Sequence, residues 1–172
     1  TNAIFALDIE TGRLMEWVPE EGGEWWSAPV DYYDRFVVLN HWVGNTTRLI
    51  DETGKRRTLA INPDSGSVSP DGKLAVTLVE KPNCELQVID PYDRHIQGRL
   101  ELDTCESEES SIRWSPDGSY LAIVSPNGLY SIAFPDTLTV YKVERNGVDL
   151  RQIYTKMFPS TLQTPIWSPS GD

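Results

Sequence analysis

Histidine and cysteine are nearly missing from this sequence: His41, His95, Cys84 and Cys105 are all that 172 residues contain. No Cys-x-x-Cys pair and no Cys/His set with zinc spacing can be assembled from them, which excludes a metal-thiolate centre. A G-x-S-x-G elbow, an H-E-x-x-H helix, a P-loop and a dinucleotide-binding glycine pattern are also absent, so the common signatures of hydrolase, metalloprotease and nucleotide chemistry find no support. Basic residues are scarce as well, 15 Lys and Arg against 26 Asp and Glu, giving a net charge of −11 and a pI near 4.6. Phosphate contacts need clustered cations, so nucleic acid is not the expected partner. No run approaches the roughly eighteen apolar residues of a membrane-spanning helix, and no charged-then-apolar leader is present.

What the chain does contain is a phrase that returns: Ser69–Gly72 reads SPDG, Trp114–Gly118 reads WSPDG, Trp167–Gly171 reads WSPSG, and Trp26–Pro29 is a worn copy, WSAP. Proline sets φ for the first turn position, Asp accepts hydrogen bonds from nearby N–H groups, and Gly takes the positive φ that closes the turn. Asp71, Gly72, Asp117 and Gly118 are therefore read as turn-builders. Apolar runs follow the copies, at Phe36–Leu39, Leu74–Val76 and Leu121–Val124. Between them lie polar turns, ETGR at Glu10–Arg13, ETGK at Glu52–Lys55, PYDR at Pro91–Arg94 and RNGV at Arg145–Val148. Ser27, Ser69, Ser115 and Ser168 mark intervals of 42, 46 and 53 residues, and Gly12 to Gly54 is again 42. A unit of that length with four short strands is the signature of a propeller blade.

The x-W-S-P-D-G-x-x-L-A pattern, followed by a strand, a polar turn and another strand, resembles the TolB-like β-propeller repeat. That repeat is also found in tricorn-type proteins and in the propellers of prolyl oligopeptidase relatives. The resemblance covers nearly the whole chain and implies an all-β fold of four-stranded antiparallel blades. The strand count predicts a partial propeller of about three and three-quarter blades: a partial unit at 1–18, full units at 25–61, 67–102 and 111–157, and an opening strand within 164–172. An arc of this kind exposes sheet faces and strand edges, so the expected complement is further blades of a parent chain or a second copy.

Several residues stand out as functional candidates. Glu20, Glu21 and Glu24 lie in one connection between blades and Glu106, Glu108 and Glu109 in another. All such connections leave a propeller on one face, which is expected to be acidic and to meet a protein or peptide partner. Carboxylates converging there could hold Ca2+, but they lack the alternating oxygen ligands of a calcium loop, and no cofactor is assigned. The long segment Pro126–Thr137 brings Tyr130 and Phe134 to the same face, as a contact surface or as local packing. Trp26, Trp114 and Trp167 share one repeat position, with Val68 in the fourth copy, and mark a packing slot between blades. Trp25 and Trp42 fall outside that slot and are candidates for a binding surface.

Cys84 and Cys105 flank a predicted hairpin and form a candidate disulfide if the strand end bends. Such a bond would favour an extracytoplasmic, oxidising compartment. Asn45-Thr46-Thr47 is a glycosylation triplet that matters only in a secretory eukaryote. His41 alternates with apolar residues in a strand and His95 follows a turn, so both are read as structural. The S-x-D-x-G-x-T-W box of sialidase propellers is absent. The function expected is a non-catalytic binding or scaffolding propeller; the alternative is the gating propeller of a prolyl oligopeptidase-type serine peptidase whose catalytic domain lies outside this sequence.

Overall fold

The computed structural model describes residues 4–7, 14–18, 31–33, 36–41, 46–51, 53, 55–61, 66–79, 84–102, 110–126, 136–144, 149–159, 162 and 164–168. These fall in two compact units, Thr1–Pro63 and Asp64–Asp172. The first unit holds a hairpin of β1 (Ile4–Leu7) and β2 (Leu14–Val18) and a sheet of β3 (Asp31–Tyr33), β4 (Phe36–His41), β5 (Thr46–Asp51) and β6 (Arg56–Leu59). The second unit holds two sheets. One is β7 (Gly66–Val68), β8 (Ala75–Val79), β9 (Glu85–Ile89) and β10 (Ile96–Glu101); the other is β11 (Ser111–Trp114), β12 (Tyr120–Pro126), β13 (Asp136–Val143) and β14 (Leu150–Phe158).

Each four-stranded sheet is an antiparallel meander in sequence order, with every strand hydrogen-bonded to its neighbours along the chain. The chain is thus all-β, a partial β-propeller with three complete blades among the described residues. Alternation along the strands decides which side chains enter the core, because successive residues point to opposite sheet faces. In the second blade Val76, Leu78, Leu86 and Val88 point the same way. They are covered by Ile112, Trp114, Leu121, Ile123, Tyr141 and Val143 of the third blade, with Leu74, Leu100, Leu102 and Leu150 at the margin. In the first unit Val38, Leu49, Ile50, Leu59 and Ile61 are buried, and the enclosed Thr47 hydroxyl donates to the Ile61 carbonyl at 3.4 Å.

The packing slot expected for the repeat tryptophans has a specific polar contact. Trp114 is 3% exposed, and its indole N–H donates to the Ser67 carbonyl, 3.1 Å away on the preceding blade. Trp167 does the same one repeat later, donating to the Arg113 carbonyl at 3.2 Å and stacking on Tyr120 with centroids 6.1 Å apart. Ser67 and Arg113 occupy equivalent places, two residues before the Ser of their own turns. Residues 164–168 are therefore seated on the third blade as β11 is seated on the second. Val68 takes the tryptophan position in the SPDG copy that opens the second unit, and a valine side chain has no donor for this contact.

Two features bear on the sequence reading. In the first blade the strand that pairs with β4 is β3, Asp31–Tyr33, which follows WSAP instead of preceding it. WSAP lacks the Asp and Gly that build the turn in the intact copies, so nothing local forces a hairpin there. Trp26 itself lies outside the described residues. Cys84, just before β9, is disulfide-bonded, and its carbonyl accepts the Leu102 N–H at 2.9 Å. The other cysteine of the sequence, Cys105, is outside the described residues. The register places Glu101 opposite Glu85, with an irregularity between Ile96 and Gly98.

Trp114→Ala is expected to cost about 3–5 kcal/mol in denaturant unfolding, as for other buried large-to-small changes. Trp114→Phe keeps most of the ring burial and should lose about 1 kcal/mol for the hydrogen bond to Ser67; no loss in Trp114→Phe would mean that the indole N–H contributes nothing. Intact mass before and after reduction and alkylation should reveal one disulfide, and its reduction should lower stability by about 2–4 kcal/mol.

Candidate functional site

The two SPDG turns are hydrogen-bonded in the same way, residue for residue. In the second blade the Ser69 N–H donates to Leu74 O and the Gly72 N–H to Ser69 O, both at 2.8 Å. The Ser69 hydroxyl donates to Asp71 Oδ1 at 2.7 Å and accepts the Leu74 N–H at 3.0 Å, while Asp71 Oδ1 also accepts the Lys73 N–H at 3.1 Å. In the third blade Ser115 donates to Asp117 Oδ1 at 2.6 Å and accepts the Tyr120 N–H at 2.9 Å, and Asp117 accepts the Ser119 N–H at 3.0 Å. Gly72 and Gly118 have φ of 70° and 71°, the left-handed region that a side chain disfavours. A Cβ at Gly118 would lie 3.6 Å from Pro70 Cδ, so the two turns pack against one another.

These carboxylates are held ionised by their turns. Partial burial pushes Asp71 up, but the Ser69 hydroxyl, the Lys73 N–H and the Lys73 ammonium outweigh it and leave the group below its ordinary value of 3.8. For Asp117 the Ser115 hydroxyl is the largest influence and lowers it, with Ser119 adding to the effect against some burial. Ser69, Ser115, Asp71 and Asp117 thus have their polar atoms committed to local structure, and a catalytic role would require breaking the turn.

A second carboxylate device was not singled out from the sequence. Asp51 and Asp90 end their strands and fold back over the following turn. Asp51 Oδ1 accepts the N–H groups of Thr53 and Lys55 at 3.0 and 3.1 Å, and Asp90 Oδ1 accepts the Tyr92 N–H at 2.8 Å. The Thr53 hydroxyl is the main cause that lowers Asp51. These are Asx turns, legible in principle from Asp preceding a polar turn. In the second blade the Tyr92 hydroxyl donates to the Gly72 carbonyl at 3.3 Å, which puts both turns at one end of the blade.

At the opposite end of the second unit β8, β10 and β12 end and β9, β11 and β13 begin. In the sequence Glu106, Glu108 and Glu109 fall between β10 and β11, and Tyr130 and Phe134 between β12 and β13. All five lie outside the described residues, as do Glu20, Glu21, Glu24, Trp25 and Trp42. The described rim at this end of the second unit is polar. Glu85 meets Arg99 at 3.6 Å and accepts from the Gln87 amide; Ser110 donates to Ser125 at 3.3 Å; and the buried Asp136 accepts the Leu162 N–H. Among the described residues no group of three or more His, Cys, Asp or Glu is placed to hold a metal ion. No helix among them is long and apolar enough to cross a membrane.

No protein-family model and no curated protein matches the chain. Solved structures do. A provisionally assigned 6-phosphogluconolactonase from Bacteroides fragilis is 15% identical with a TM-score of 0.52, the match covering 98% of this chain and 55% of that one. A protein of the same provisional assignment from Bacteroides uniformis is 16% identical with a TM-score of 0.53, covering 98% and 55%. The β-propeller domain of the Trilobed protease from Pyrococcus furiosus is 18% identical, covering 79% and 43%, at a TM-score of 0.46. The chain therefore spans about half the length of the first two structures, and likeness at such identity speaks to fold alone.

The sign of the acid response follows from the carboxylates. A group whose folded pKa is depressed stabilises the fold above its unfolded value and loses that contribution as pH falls through the folded one. Stability should thus decline as pH drops below the ordinary carboxylate value of 3.8. Asp117→Ala should cost about 1 kcal/mol at neutral pH and make the acid limb shallower; an unchanged limb in pH-dependent denaturation would remove Asp117 from this role.

Proposed function

We propose that this chain is a non-catalytic β-propeller module that binds and scaffolds a protein or peptide partner through the loop end of its blades. The observation that carries this is topological. In the second unit β10 and β12 end, and β11 and β13 begin, at one end of adjacent blades, and the sequence between β10 and β11 is acid-rich while that between β12 and β13 bears Tyr130 and Phe134. The rigid parts of the unit supply what a loop-borne site requires, namely turns locked by their own hydrogen bonds and an apolar core between blades.

The partner this face suits carries positive charge, since Glu106, Glu108 and Glu109 come from a chain of net charge −11. Tyr130 and Phe134 would add apolar contact, the residue type favoured at interface centres. No cofactor is needed for this role. The disulfide at Cys84 favours an oxidising compartment. Chains about twice as long share the fold, so further blades of a parent protein are the natural neighbours of this unit. A gating role for a serine peptidase would need an α/β-hydrolase pattern elsewhere in the parent gene, and reading that gene decides it.

A fluorescein-labelled oligolysine serves as the probe for this face. Binding is expected at low salt and should weaken about tenfold or more between about 50 and about 300 mM salt as screening shortens the reach of the loop charges. The triple change Glu106→Gln, Glu108→Gln and Glu109→Gln should remove most of it. Equal binding by that variant would move the site elsewhere, and turnover of ester or lactone substrates would overturn the non-catalytic reading.

A further inference from the structure

The outermost strand of the third blade is unlike those of the other two. β14 runs nine residues, Leu150–Phe158, against six for β10 and four for β6, and its one strand neighbour among the described residues is β13. Residues 151–157 are all exposed, with Tyr154 at 44% and Met157 at 62%. β10, in contrast, alternates half-buried with exposed positions, and its Arg99 is matched by Glu85.

The ladder shows which backbone groups are free. The Val143 N–H donates to Ser119 O on the β12 side, and the Glu144 N–H donates to Asp149 O on the β14 side. With the alternation of an antiparallel pair, even-numbered residues of β13 bond to β14. Their partners Tyr154, Lys156 and Phe158 point their N–H and C=O groups inward, so those of Thr155 and Met157 point out along the edge. The register irregularity at Val140/Tyr141 leaves Ile153 as the extra residue, and Tyr154–Phe158 continues beyond it in unbroken register with Asp136–Val140.

Charge selects the occupant. In a chain of net charge −11, β14 carries Arg151 and Lys156 and no carboxylate. Lys142 lies directly across from Arg151, a like-charged pair only partly offset by Glu144 at 3.7 Å from Lys142. Arg151 and Lys156 have no ion-pair partner among the described residues, and the Lys156 ammonium sits 5.0 Å from the centroid of the Phe158 ring. Arg151, Tyr154, Lys156 and Phe158 share one side of the strand, so a strand added there would meet two cations and two aromatic rings. A second copy would present an edge of the same positive charge, so pairing of β14 with its own copy is disfavoured.

We propose that the outer edge of β14 accepts an extended, carboxylate-bearing segment of a partner protein as an added strand, with Arg151 and Lys156 selecting its acidic side chains. Main-chain hydrogen bonds to Thr155 and Met157 would hold it, and Tyr154 would cover its apolar positions. This interface is separate from the acidic loop end and has the opposite preference.

The probe is a labelled peptide of about ten residues alternating Glu with Val, long enough to pair along the whole strand, with a Lys–Val peptide as control. The Glu–Val peptide is expected to bind the full chain despite its net negative charge, at least about tenfold more tightly than the control at low salt. Met157→Pro or Thr155→Pro removes an outward donor while leaving the β13 ladder intact, and should abolish binding with an unchanged melting curve. Methylation of alternate amide nitrogens of the peptide tests the same bonds without altering the protein and should also abolish binding. Arg151→Ala with Lys156→Ala should reduce the preference for Glu–Val to near unity. The proposal is overturned if the Glu–Val peptide does not bind, if its N-methylated form binds as well, or if the control binds equally. It is likewise overturned if the chain alone forms dimers that Met157→Pro dissolves.

Discussion

One contact is the hinge on which the second unit turns: an indole N–H reaching back to a backbone carbonyl of the blade before it. Trp114 to Ser67 and Trp167 to Arg113 are the same bond written twice. It joins the two terms that hold neighbouring sheets together, burial of a large ring and satisfaction of a carbonyl that the ring would otherwise cut off from water. Because the acceptor is a main-chain atom two residues before each Ser-Pro turn, the bond also fixes how far one blade can slide along the next. The turns then meet directly, with Gly118 beside Pro70.

That junction explains how the polar residues divide. At the turn end, the described hydroxyls and carboxylates serve local geometry: Ser69 and Ser115 each close their own turn, Asp71 and Asp117 accept N–H groups of those turns, and Asp90 caps the next hairpin. A scaffold this committed leaves the proposed recognition to the segments between strands and to the outer edge. On that proposal the acid-rich sequence between β10 and β11 and the cationic β14 would have opposite preferences. The same charges that would attract different partners discourage copies of the chain from stacking edge to edge.

Much of the fold was legible because the decisive chemistry is local. A Ser-Pro-Asp-Gly string sets its own turn within five residues, so the hairpins at Ser69 and Ser115 could be read without knowing their neighbours. WSAP shows the limit of that reading. It keeps Trp, Ser and Pro but not the Asp and Gly that form the bonds, and the strand that pairs with β4 starts after it. Asp51 and Asp90 carry no such string: an Asp before a polar turn becomes distinctive only through the N–H groups that fold back onto it. Of the residues chosen from the sequence for binding, none falls within the described set.

The sequence by itself determined the turns, the strand periodicity and hence the blade, since each depends on residues a few positions apart. Only the tertiary structure decided what Trp114 and Trp167 bind, because their acceptors lie 47 and 54 residues upstream. It also decided that β14 is an edge. Arg151, Tyr154 and Lys156 look like ordinary strand residues until the order of strands shows that, among the described residues, no neighbour pairs with them on the far side, and edge position is a property of topology that no local pattern encodes.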